Sequence, residues 1–153
     1  MGTVADRLAE LGLTVPEVAA PVAAYVPALV DGDLVYVSGQ LPFVAGELAA
    51  TGTVGADVDP AQAADLARTC ALNGLAALAS VVDLERVRQI VKVTGFVASA
   101  PGFTDQPAVV NGASELFGAV FGPAGRHARS AVGVAALPKG APVEVELIAR
   151  ITT

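Results

Sequence analysis

The segment DPAQAADLARTCALNGLAALASVV, residues 59–82, restricts the fold more than any other part of the chain. Asp59 stands where an N-cap is needed, Pro60 occupies the first helical position, and Gln62 is placed to complete a capping box. The inward stripe of the helix that follows is Ala64, Ala67, Ala71, Leu75 and Leu78. Side chains so small, with Gly74 beside them, suit a helix that lies very close to a sheet.

The other periodic segments supply that sheet. VPALV and LVYVSG flank Asp31-Gly32-Asp33, which is hairpin chemistry. VRQIVKVTGFVAS is a long β-branched strand, and VEVELIARI is the last one. Between them QPAVVNGASELFGAVFG reads as a second helix, weakened by Gly112-Ala113 and stopped at Gly122-Pro123. GRHARSAVGVAALPKGAPVEVEL reads as two strands joined by a Pro-Lys-Gly turn. TVADRLAELGL forms a short amphipathic helix through Val4, Leu8 and Leu11, followed by a proline-punctuated extended arm. Gln40 to Val58 is a loop with at most a short strand pair around Gly46. The order is hairpin, helix, strand, helix and two strands: an α+β arrangement with both helices on one face of the sheet. Neither a repeat nor a linker divides it, so residues 1–153 form a single domain, with 1–21 as an N-terminal arm.

Charge and hydropathy narrow the partners. The net charge is −6 and the isoelectric point about 4.6, which argues against broad binding of nucleic-acid phosphates. Hydrophobic residues make up 54% and charged ones 16%, more apolar than a soluble monomer of this size needs, which points to buried subunit interfaces. The most apolar stretch, VAAPVAAYVPALV, is too short and too proline-broken to cross a bilayer, and the N-terminus lacks a signal-peptide pattern. The expectation is a cytoplasmic protein without membrane or nucleic-acid partners. Cys70 is the one cysteine, so no internal disulfide or cysteine-rich metal site is available. Asp105, Glu115 and Arg126 show no metal-ligand spacing, and no metal is expected.

One cation stands out. Strand alternation puts Arg129, Ala131, Gly133 and Ala135 on one face, leaving the guanidinium with almost no bulk beside it. Such a face either packs against another backbone or leaves room for a small ligand that the arginine holds. Near the C-terminus Glu144 and Glu146 share a face of the last strand, where a carboxylate can orient or deprotonate a water, or simply be solvated.

LVYVSGQLP, VKVTGFVAS, VVNGASELFGAVFG and ARSAVGVAALPKGAPVEVE resemble, in order and spacing, the RidA family, also called YjgF, over roughly Val22 to the C-terminus. The resemblance implies a chorismate-mutase-like (RidA) α+β fold with a mixed sheet, assembled as a homotrimer with three clefts between subunits. It implies hydrolysis of reactive enamines and imines to 2-keto acids and ammonia, without a cofactor. Carried over, Arg129 grips the substrate carboxylate and Glu144 lies near the attacking water. Tyr25, Ser38, Gly39 and Asn111 match further cleft positions. The family's frequent cysteine two residues after the arginine is Ala131 here, so thiol chemistry is absent, but the backbone carbonyl that helps hold the water is retained.

Each of these positions has an ordinary alternative: packing for Tyr25, turn chemistry for Ser38 and Gly39, a trimer contact or a helix-backbone bond for Asn111. His127, the sole histidine, shares the face of Arg129 if the strand already runs there, but nothing supplies the second member of a catalytic dyad. The long loop and the N-terminal arm mark a divergent subgroup, whose members are often labelled endoribonucleases. The functional alternatives are a non-catalytic, small-carboxylate-binding trimer and, against the acidic charge, a ribonuclease or translation inhibitor.

Overall fold

A computed structural model describes residues 2–21 and 23–153. Val22, where the resemblance begins, lies outside the described residues. Helix α1 (Val4–Glu10) opens the chain under a full capping box: Thr3 accepts from the Asp6 N–H, and the Asp6 carboxylate accepts from the Thr3 N–H. Val4 and Leu8 are buried in the main core, and Arg7 Nη1 donates to the Val120 carbonyl at 2.9 Å, so the first part of the arm is a structural element. Leu11, the third residue of the expected stripe, is exposed.

Strands β1 (Ala28–Asp31) and β2 (Leu34–Gln40) form the expected hairpin, with Gly32 at φ 62°. The strand pair around Gly46 is β3 (Phe43–Val44) and β4 (Glu47–Leu48), turned by Ala45 and Gly46, both at positive φ. Helix α2 (Pro60–Ala79) starts where Asp59 accepts from the Gln62 N–H at 2.9 Å. Strand β5 (Val87–Ala98), helix α3 (Gln106–Phe121), strand β6 (Ala128–Val134) and strand β7 (Val143–Ile151) complete the chain.

The main sheet has the order β1-β2-β7-β5-β6, antiparallel except for the parallel pair β5–β6. β5, α3 and β6 make a parallel crossover, and β2, α2 and β5 make a split one whose gap is filled by β7. The two strands joined by the Pro-Lys-Gly turn therefore do not pair with each other: β5 lies between them. The turn, at Pro138–Gly140, carries β6 at the sheet edge across to β7 near its centre, with Lys139 at φ 59° and Gly140 at φ 75°.

Both helices cover one face, whose strand residues include Val35, Val37, Val93, Val97, Val143, Val145 and Leu147, all buried. The inward side of α2 is broader than a single stripe: Ala63, Leu66 and Cys70 are buried beside Ala67, Ala71, Leu75 and Leu78, while Ala64 is half-buried. Gly112 explains why Ala64 matters nonetheless. A Cβ at Gly112 would sit 1.9 Å from the Ala64 carbonyl oxygen, so the glycine that weakens α3 by propensity is what lets α2 and α3 touch.

Candidate functional site

The other face of the sheet is open. Across it run Leu29, Tyr36, Ile148 and Lys92 in register, then Glu146, Thr94 and Ser130, then Glu144, Phe96 and Val132. Leu29 is 57% exposed, and Tyr36 and Val132 are exposed as well. Where β2 leaves this sheet, a cavity of about 420 Å³ opens among Tyr25, Ser38, Gly39, Glu144 and Glu146, walled by the N-terminal arm, the loop around Phe43 and Pro138.

Backbone requirements fix most of its polar groups. The Ser38 hydroxyl donates to the Val26 carbonyl at 2.6 Å and its N–H to Pro27, tying down the chain beside Tyr25. Buried Gln40 donates to the Ser38 carbonyl at 3.0 Å. Gly39 lets the carboxylate of Glu144 lean directly over bare backbone, and a Cβ there would push that side chain aside. Burial, and secondarily the charge of Glu146, push the Glu144 carboxyl above its usual pKa. A carboxyl of that kind is a better proton acceptor than a solvated one when ionised.

Arg129 is elsewhere in the chain. It projects from edge strand β6 on the helix-covered side, since it is in register with Val93 and Leu147. Its Nη1 donates to Asn111 Oδ1 at 2.8 Å and to Ser114 Oγ at 3.2 Å, and Nη2 donates to the Pro107 carbonyl at 3.4 Å. On the small-residue face Ala131 packs on the core, a Cβ at Gly133 would meet the Gln106 side chain, and Gly133 and Ala135 are exposed. Asn111 bonds the arginine rather than helix backbone. One chain thus gathers Tyr25, Ser38, Gly39 and Glu144 at one place, and Arg129, Asn111 and Ala131 at another. Among the described residues no Lys or Arg lines the cavity.

His127 precedes β6, so it does not join the strand face of Arg129. Its ring stands edge-on to Phe117, 6.1 Å between centroids, and burial lowers its pKa. Cys70 is fully buried, with its thiol directed at the Val143 carbonyl, and burial raises its pKa far above the usual value. Among the described residues no group of three or more His, Cys, Asp or Glu side chains could hold a metal ion, and no helix is long and apolar enough to cross a membrane.

Sequence reasoning missed Asn73. It is 4% exposed, and its Nδ2 donates to the carbonyls of Leu41 and Phe43, both at 3.0 Å, fastening one cavity wall to α2. Its signal was present: a lone amide inside CALNGLAAL must have buried partners. It also missed Ser114, one turn from Asn111, and the part taken by the arm in the cavity wall.

A mixed sheet with β7 inserted into a split crossover, two helices on one face and an open opposite face defines the α+β class of YjgF/chorismate-mutase-like proteins. The family model described as "YjgF/chorismate_mutase-like, putative endoribonuclease" matches residues 5–151, well before the expected start near residue 22. The chain belongs to the YjgF (RidA) family. Protein TCP17 of Trypanosoma cruzi is 45% identical over 152 residues, covering 98% of this chain and 95% of that one. The crystal structure of Atu1372 from Agrobacterium tumefaciens, a protein of unknown function, is 47% identical, with a TM-score of 0.91 over 99% of this chain and 93% of that one. Escherichia coli TdcF with bound serine is 27% identical, with a TM-score of 0.64 over 89% and 94%.

Proposed function

We propose that the protein hydrolyses reactive enamines and imines of amino acids to 2-keto acids and ammonia, at clefts shared between the subunits of a homotrimer. The observation that carries the reading is the division of the site: Glu144, Ser38, Gly39 and Tyr25 surround one cavity, while the guanidinium suited to a carboxylate is held ready at the sheet edge. A cavity bordered by Glu144 and Glu146 repels a carboxylate unless a cation is added. Arg129 of a second copy supplies it, and the exposed apolar residues of the open sheet face give that copy a surface to bind.

The chemistry needs little machinery, because the substrate is already unstable in water. An enamine first takes a proton from water at its β-carbon and becomes the protonated imine. Arg129 fixes the carboxylate with a fork of N–H donors, and Asn111 and Ser114 hold that fork in place. Water held between the Glu144 carboxylate and the Ala131 carbonyl adds to the imine carbon, forming a C–O bond as Glu144 takes its proton. Glu144 returns that proton to nitrogen and then takes the proton of the new hydroxyl as the C–N bond breaks, so that C=O forms, ammonia leaves, and the Glu144 proton passes to water. No cofactor enters any step.

The serine named with TdcF favours a second reading, a trimer that binds small carboxylates without turning them over. Phosphodiester cleavage fits poorly, because both acids at the cavity and the net charge of −6 repel a polyanion. The test is keto acid release from imines generated in situ by an amino-acid oxidase, wild type beside Arg129→Ala. Acceleration lost on substitution supports hydrolysis; ligand binding without acceleration for any imine leaves the binding trimer.

A further inference from the structure

In a single chain the cavity measures about 420 Å³, several times what a three-carbon acid fills, before a second copy closes over it. Its extra walls are apolar: Ala19, Ala20 and Pro21 from the arm, Leu41 and Phe43 from the loop, and Pro138 from the turn. The arm is rooted by buried Val4 and Leu8, by the Arg7 bond to Val120 and by Leu13 and Val15 against the core, while Asn73 clamps the carbonyls of Leu41 and Phe43. The charged groups among the lining residues are Glu144 and Glu146, which disfavour a second carboxylate on the substrate. Lys139 stands outside that lining, with its ammonium 5.8 Å from the centre of the Phe43 ring.

We propose that the N-terminal arm and the Phe43 loop form a side-chain subsite, so that the preferred substrate is an imine bearing a neutral, apolar side chain of several carbons. The inference rests on the hydrolase reading above and adds the substrate class. Small alanines in the arm set the width of the subsite, so enlarging them removes room for a long side chain before it affects a short one.

The experiment compares kcat/KM for the imines of leucine and aspartate and for 2-aminoacrylate, in wild type, Ala20→Phe and Ala19→Phe, with calorimetric binding of the matching 2-keto acids. Ala20 is exposed, so Ala20→Phe leaves the fold intact, as circular dichroism checks. The expected result is a leucine-over-aminoacrylate ratio of at least about tenfold in wild type, falling about tenfold or more in at least one variant. A ratio near one in wild type, a preference for the aspartate imine, or a ratio unmoved by both variants overturns the subsite. If no imine is turned over but the keto acids bind with the leucine-type preference, the hydrolase reading fails and the apolar subsite stands. Absence of both turnover and binding removes the two together.

Discussion

At the scale of single residues, what each group can do depends on how its side chain is held. Arg129 has three bonds to α3, so Arg129→Ala should lower kcat/KM by roughly a hundredfold or more, and Arg129→Lys should recover little, because an ammonium cannot both keep those partners and present a planar fork. Asn111→Ala leaves the cation but frees it, and steady-state kinetics should show KM raised roughly tenfold with a smaller change in kcat. Glu144 acts as a base only when ionised. Within one chain burial and Glu146 raise its pKa, while the Arg129 guanidinium of a second copy opposes that shift, so the acid limb of the pH profile of kcat/KM reports the balance of the two. Glu146→Gln removes a like charge, stabilises the ionised form of Glu144 and should move that limb to lower pH; a limb that stays put would exclude Glu144 as the titrating group. The same shift has a stability sign: a carboxyl whose pKa is raised by folding favours the folded state below its unfolded pKa, and that advantage is lost as pH rises through the folded value. Arg129 and Glu144 can be singled out in the sequence because the motifs around them are distinctive. The reason for Gly39 cannot, since a close approach to Glu144 is made across two strands distant in sequence.

At the scale of elements the sequence reading and the structure agree where local chemistry decides. β2, β5, α3, β7 and the start of α2 fall within a residue or so of the segments read, because β-branched runs, the Asp59-Pro60 start and the Gly122-Pro123 stop are local signals. Strand order was not local. The placement of β7 between β2 and β5, and of β5 between β6 and β7, depends on which hydrophobic faces meet after the crossovers form. Gly112 shows the limit most clearly, since propensity marks it as a weakness and packing makes it essential. Gly112→Ala should destabilise the protein by roughly 2–4 kcal/mol in urea unfolding, because the α2 backbone has to retreat. Gly118→Ala, on the exposed side of the same helix with nothing within 4 Å of its added Cβ, should stabilise it by about 0.5–1 kcal/mol. Equal effects at the two positions would contradict the close contact of α2 and α3.

At the scale of the whole molecule one chain keeps the Glu144 cavity apart from Arg129 and leaves one sheet face uncovered. The high apolar content that pointed to subunit interfaces fits Leu29, Tyr36 and Val132 standing exposed on that face. Light scattering should accordingly give a trimer at micromolar concentration and below, and a monomer would contradict the shared cleft. The most direct measurement uses the division itself. Arg129→Ala and Glu144→Gln chains, each inactive alone, are co-expressed with different tags, and the mixed trimers are purified through both tags. In a ring of three clefts, every mixed trimer contains one cleft with a native Glu144 from one chain and a native Arg129 from the next. Imine hydrolysis should therefore return to about one third of the wild-type rate. Mixed trimers as inactive as their parents would contradict the account, because they would mean that Arg129 and Glu144 do not serve a common site from different chains.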